Sequence, residues 1–198
     1  MDKLKSAFSL LFWPLIGLGA MIIVWFLPWR FQVNDDVIMM WLLSGAYTGE
    51  VENYAVFIHP ALSGAISLLY EVFGFGISWY AICWFLAVYY SFLLIHLRIQ
   101  NSILTRHWRF FFNLFTLAIS IHFCIFPQFT LVSGFLGIAA WVFVFQERVK
   151  VKLIHTILFW LAVSLSILIR AEAFLLVSVG VIFYFFVLKL NFRAHRNF

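Results

Sequence analysis

The stretch Leu153–Leu188, LIHTILFWLAVSLSILIRAEAFLLVSVGVIFYFFVL, carries only two residues of the Asp, Glu, Lys and Arg set, Arg170 and Glu172, both near its middle. One crossing of a bilayer core takes about 20 helical residues, and this stretch is nearly twice that. It therefore reads as two apolar spans, Leu153–Ile169 and Ala173–Leu188, joined by a very short turn, Arg-Ala-Glu. The reading fixes the parity of the whole chain. Two crossings return Lys189, Arg193 and Arg196 to the side that carries Arg148, Lys150 and Lys152.

Working toward the N-terminus, four more apolar runs follow the same rule: Ala7–Trp29, Gly76–Leu97, Phe110–Phe126 and Phe129–Phe145. The first is too long for a cleavable signal and no small-x-small cleavage site follows it, so it is expected to stay as an anchor. The sequence thus predicts an all-α integral membrane protein of about six transmembrane helices. Composition agrees: 65% of the 198 residues are hydrophobic and 11% charged, with a mean hydropathy of +1.03. A soluble domain is nearer half apolar and a quarter charged. The aromatic share of 21%, with 26 Phe, suits lipid-facing helices. Cys83 and Cys124 both lie in apolar runs and are expected to stay unpaired.

The spans sort the charges. Lys3, Lys5, Arg98, Arg106, Arg109, Arg148, Lys150, Lys152, Lys189, Arg193 and Arg196 fall on one side; Arg30 and Arg170 fall on the other. These are all thirteen basic residues. The basic side is cytoplasmic by the positive-inside rule, which predicts cytoplasmic termini and a basic cytoplasmic tail from residue 189. This distribution accounts for the net charge of +5 and calls for no nucleic-acid partner. The acids fall the other way: Asp35, Asp36, Glu50, Glu52, Glu71 and Glu172 are outside, Asp2 and Glu147 inside.

The first outer loop, residues 30–75, is long and not hydrophilic. Asn34 is a good N-cap, and Asp35 and Asp36 then sit in the first turn, where the helix dipole favours anions. Val37–Leu43 is apolar on every face, and SGAYTGE stops the helix, with Gly45 suited to a left-handed cap. Pro60 suits the first turn of a second helix. Residues Pro60–Phe73 carry one stripe of Leu62, Ile66, Leu69 and Phe73 and another of Ser63, Ser67 and Glu71. About 21 Å long, this helix is too short to span and is expected to lie along the outer membrane surface.

Adjacent acids are commonly solvated residues at a helix start. Here they directly follow a span, and neighbouring helix positions point in different directions. One can face a substrate while the other pairs with a cation. Arg170 is the candidate cation, either snorkelling beside Glu172 or clamping a phosphate with its planar fork. Arg30 offers the same chemistry beside the acids. His59 reads as a structural hydrogen-bonding residue before a substrate-orienting one. No His/Cys/Asp spacing makes a zinc site, and no phosphate loop or dinucleotide fingerprint is present.

NDDVIMMWLLSGAYTG after the first span resembles the acidic motif in the first outer loop of GT-C glycosyltransferases, multi-spanning enzymes that use polyprenyl-phosphate sugars. PQFTLVSGFLGIAAWVFV is similar to a tight outer hairpin and following span in such proteins, and ILIRAEAFLLVSVG resembles their later turn carrying Arg and Glu. The resemblance implies an N-terminal membrane module of a glycosyltransferase of cell-envelope polysaccharide in a bacterial plasma membrane. It implies Asp35 as catalytic base, Asp36 as its supporting partner and Arg170 as a phosphate or acid partner; Arg30, His59 and Glu172 join Arg170 as candidate substrate- or phosphate-binding residues on the reading of the residues themselves. The partners expected are the lipid bilayer and a polyprenyl-phosphate sugar donor. Mg²⁺ or Mn²⁺ suits outer-face carboxylates, but two acids alone define no metal site. GT-C enzymes are usually much longer, so the chain reads as a fragment lacking a C-terminal portion or partner subunit, expected to be inactive alone. A lipid-linked-sugar carrier or flippase and a non-catalytic assembly subunit are the alternative readings.

Overall fold

The computed structural model describes residues 2–145 and 153–194, with backbone alone for 2–10 and 188–194. The expected basic loop Arg148–Lys152 and the end of the basic tail, from His195, lie outside the described residues. The described residues form seven helices in order: α1 (Asp2–Trp25), α2 (Asn34–Leu43), α3 (Pro60–Phe73), α4 (Trp79–Gln100), α5 (Arg106–Ile125), α6 (Phe129–Val144) and α7 (Leu153–Ala194). No strand occurs among the described residues.

Three helical segments are long and apolar enough to cross a membrane: Trp79–Gln100, Arg106–Ile125 and Leu153–Val187. That is fewer than the six expected. α6 has 16 residues, about 24 Å of helix, and the side chains of α1, a helix of 24 residues, are described only from Leu11, so that Leu11–Trp25 alone stands for it among the apolar helices. The third long segment also holds both of the last two expected spans. Within α7, Arg170 leaves helical geometry (φ −162°, ψ 104°), and the contacts with α6 show that the chain reverses there. Near the start of α6, Ser133 Oγ donates to Ser166 O (2.8 Å) and Arg170 O (2.9 Å). Near its end, Trp141 meets both Phe159 and Ser178, Phe143 meets His155 and Phe145 meets Phe185. Both arms of α7 therefore leave Arg170 toward the same end of α6.

The break frees carbonyls that an unbroken helix would satisfy. External donors take them up: Ser133 at Ser166 and Arg170, and the His59 amide at Leu168 O (2.9 Å). The hairpin packs on α6 through small residues. A Cβ on Gly137 would stand 3.2 Å from Phe174 and 3.4 Å from Ser166 Oγ, so α6 lies against both arms, as small residues allow.

α4 is central. It touches each of the other six helices, and 56% of its apolar window is buried, against 28% in α5 and 22% in the α7 segment. Being apolar around its whole circumference, it has no natural solvent face. Tyr80, Trp84, Val88, Phe92 and Leu94 are all fully enclosed. α1 approaches closely at Gly17, where a Cβ would meet Phe92 Cε1 at 2.6 Å. At the end of the bundle bearing residues 30–78, called the loop end below, aromatic rings interlock: Trp25, the last residue of α1, and Trp29 and Phe31 beyond it meet Phe85 and Tyr80 of α4.

The loop helices keep their expected order with one inversion. α3 begins at Pro60 and stops before Gly74 (φ 76°). Its serine stripe does not face out. Ser63 and Ser67 are buried; Ser63 Oγ accepts from the Ala55 amide (3.3 Å), and Ser67 Oγ donates to Asn53 Oδ1 (2.7 Å). Leu68, Val72 and Phe73 are exposed instead. α3 thus answers the Ala55 amide and the Asn53 side chain with its serines, while Ile66 is buried beside them and Leu68, Val72 and Phe73 stand outside with Glu71.

Candidate functional site

The two acids of α2 separate completely. Asp35 is exposed and Asp36 is buried. The cause is helical phase: Asp36, Met39 and Leu43 occur at i, i+3 and i+7 and share the face that packs inward. Asn34 is the first residue of α2, not its cap; Val33 takes the cap position without a side-chain bond. Gly45, just past the helix, has φ 72°, and a Cβ there would stand 2.8 Å from the Glu50 carbonyl carbon. Glycine therefore permits the tight turn expected from SGAYTGE.

Asp36 ties three helices together. Its Oδ1 accepts from the Tyr80 hydroxyl of α4 at 2.7 Å and from the Phe129 amide at the start of α6 at 3.3 Å. The expected pairing of the second acid with a cation does not occur; its partners are a neutral hydroxyl and an amide. Oδ2 is buried with no partner, and so is the indole Nε1 of Trp84. Burial pushes the Asp36 carboxyl up from 3.8 to about 6. The Tyr80 and Phe129 bonds and the Trp84 indole oppose the shift, and Asp35 adds to it. Trp84 acts here through its N–H dipole, since no hydrogen bond closes between the two unpartnered atoms.

Arg170 is half-buried, its side chain 27% exposed. Its Cζ stands 4.9 Å from the ring centre of Phe129 and 5.2 Å from that of Phe57. Its Nε is 3.7 Å from Oε2 of Glu172. Glu172 is 78% exposed, and such surface pairs contribute about 0–1 kcal/mol. Phe129 therefore joins the two halves of the site, with its amide on Asp36 and its ring under Arg170. Following that path, and counting the covalent reach of the Phe129 side chain, Asp36 and Arg170 are at most about 14 Å apart.

Arg30 lies along the same turn, Phe126–Phe129. It is exposed, with Cζ 5.7 Å from the Phe126 ring centre. The Arg30 amide donates to Ile125 O (3.1 Å) and the Gln32 amide to Pro127 O (3.2 Å). His59 acts as a cap. Its Nδ1 accepts from the Ala61 amide (3.2 Å), which leaves the proton of the neutral ring on Nε2, and its amide pins the loop to α7. The structural reading of this residue accounts for both contacts.

A cavity of about 490 Å³ opens at the loop end, walled by Met40, Trp41, Tyr70, Phe75, Ile77 and Ser78 among others. This cavity does not take in the candidate residues: Asp35, Asp36 and Arg170 do not line it. On the α2 wheel, Met40 and Ser44 point to the cavity while Asp35 lies on the opposite side. Among the described residues no three His, Cys, Asp or Glu side chains gather as metal ligands, and Cys83 and Cys124 are both free thiols.

Sequence reasoning missed Tyr80, Trp84, Phe129 and Phe57. The i, i+4 pair Tyr80 and Trp84 in the apolar first half of α4 was a usable sign, because buried Tyr and Trp need polar partners. Nothing in the sequence marks Phe57. Comparison with family models, with curated proteins and with solved structures finds no match for this chain.

Proposed function

We propose that this chain is a six-span membrane module of a GT-C-like glycosyltransferase, acting at the outer face on a polyprenyl-phosphate sugar. The observation that carries the reading is the meeting of one α2 carboxylate, Asp36, and the Arg170 hairpin tip through one residue, Phe129, with the exposed Asp35 beside Asp36 in the chain. A carboxylate and a guanidinium at one end of an apolar bundle suit a donor whose lipid stays in the bilayer and whose phosphate stands at its surface.

In this reading α1, α4, α5, α6 and the two arms of α7 cross the membrane, with both termini in the cytoplasm. α3 lies along the outer surface with Leu68, Val72 and Phe73 in lipid, which makes sense of its inverted polarity. Asp35, the solvent-facing acid, takes the proton of the acceptor hydroxyl as that oxygen attacks the anomeric carbon. The bond from the anomeric carbon to the phosphate oxygen breaks, and the phosphate leaves with the electron pair, stabilised by Arg170. Asp36 holds α2 in place and does not accept the proton. Arg30 stands as a second cation along the same turn.

The test is reconstitution of the chain in proteoliposomes with a panel of polyprenyl-phosphate sugars, reading sugar transfer and donor binding together. Saturable donor binding that Arg170→Ala weakens is expected even if transfer needs a further partner. No donor binding by wild type, or binding indifferent to Arg170→Ala, would remove the assignment.

A further inference from the structure

We propose that Phe57 and Phe129 are positioning residues that hold the Arg170 guanidinium with its terminal Nη edge toward a phosphate at the loop end. This rests on the reading of Arg170 as a phosphate contact given above. The two rings are nearly parallel (9°) with centres 5.8 Å apart. Arg170 Cζ lies 5.2 and 4.9 Å from those centres. The three groups form a near-equilateral triangle, so the cation is not sandwiched. It rests against both rings at once, within the range where a ring face attracts a guanidinium.

Both rings are held from behind. Phe129 is 2% exposed, and its amide is bonded to Asp36. Phe57 is itself 44% exposed, but its segment is anchored by the buried residues Ala55 and Ile58, and the amide of His59, the residue after Ile58, is bonded to Leu168 in the arm that ends at Arg170. Cradle and cation therefore share one rigid corner. The backbone at Arg170 is extended, which turns its side chain out of the helical phase of either arm. Glu172 stands 3.7 Å from Nε and is 78% exposed. Among the described residues Nη1 and Nη2 have no hydrogen-bond acceptor. A planar fork held against two rings, with no acceptor on either terminal nitrogen among the described residues, suits bidentate phosphate recognition.

Such positioning acts through preorganisation: less freedom is lost when the anion binds. The experiment uses the full chain in phosphatidylcholine nanodiscs and two probes, inorganic pyrophosphate in solution and a polyprenyl monophosphate in the bilayer. Affinities are measured for wild type, Phe57→Leu, Phe57→Trp and Arg170→Ala. Phe57→Leu keeps apolar bulk and removes the ring face; we expect it to weaken binding about two- to fivefold, the scale of one partly exposed cation–π contact. Phe57→Trp should match or exceed wild type, a rescue that a merely space-filling role would not produce. Binding of the lipid probe alone assigns the site to a lipid headgroup, and equal use of pyrophosphate assigns it to phosphate in general. Arg170→Ala impaired with Phe57→Leu unchanged, or Phe57→Trp as weak as Phe57→Leu, overturns the cradle and leaves the phosphate reading standing. Wild type that binds neither probe, or Arg170→Ala at full affinity, overturns both.

Discussion

Replacing Asp36 by Asn should change how the stability of this protein depends on pH. The folded carboxyl sits at about 6 against an ordinary 3.8, because burial disfavours its charged form. Between those values the folded protein holds a proton that the unfolded chain has released. Stability linked to this group is therefore fully present below about pH 3.8, falls as pH rises, and is lost once pH passes about 6. At 1.36 kcal/mol per pH unit the gap amounts to about 3 kcal/mol. For a chain of this size that corresponds to roughly 6–12 °C in Tm. The assay is thermal unfolding of wild type and Asp36→Asn in detergent micelles from pH 3.5 to 7.5. Their difference cancels the histidines and the other acids. Wild type should lose ground relative to the variant across pH 4–6 and run parallel to it above. The absolute offset includes the new amide's contacts with Tyr80, Phe129 and Trp84, so only the slope is diagnostic. Parallel curves through the whole range would refute the burial argument.

Gly17→Ala should destabilise the bundle by about 1–3 kcal/mol, since Phe92 is fully buried 2.6 Å from the new methyl; Gly19→Ala, with nothing within 4 Å, should be neutral or better, and equal unfolding midpoints for the two would contradict this. Ser133→Ala leaves kink carbonyls unpaired and should cost about 1–3 kcal/mol, measured by denaturant unfolding, with Ser133→Thr recovering part of the loss. In transfer assays Asp35→Asn should cut turnover on the order of a hundredfold with donor affinity near wild type, while Arg170→Ala should act mainly on donor affinity; full turnover in Asp35→Asn would remove the base assignment. Single-cysteine labelling in a cysteine-free background should reach position 50 from outside and position 150 only from the cytoplasm, and labelling of position 50 from the cytoplasm alone would reverse the topology.

Local rules carried the helices and failed at their contacts. Pro60 and Gly74 bracket α3 as their backbone preferences require, and Phe129 begins α6 as read. The start of α4 moved from Gly76 to Trp79 because Ser78 Oγ caps it at the Ala81 amide. The expected first span ran to Trp29, but the helix stops at Trp25, ahead of Pro28. The amphipathic sense of α3 could not be read, because its serines answer to Asn53 and Ala55, partners that hydropathy does not register. The same limit applies to the acids. NDD marked a special place, and the 3.6-residue period implied that its two carboxylates diverge. Which one is buried depended on Tyr80 and Phe129, 44 and 93 positions away, and only the folded chain brings these together.

The reversal at Arg170 uses one extended residue, and that economy sets a phase. Each arm of α7 must present its own side chains to α6 at a fixed rotation, with Ser166 and Phe174 at Gly137 and Ser178 at Trp141. Adding or deleting one residue at the tip would rotate the second arm by about 100° and carry all of its contacts off α6 together. Longer loops in this chain can take up a change of length without turning the helices that they join. This turn should be intolerant of insertion even where its side chains are free to vary.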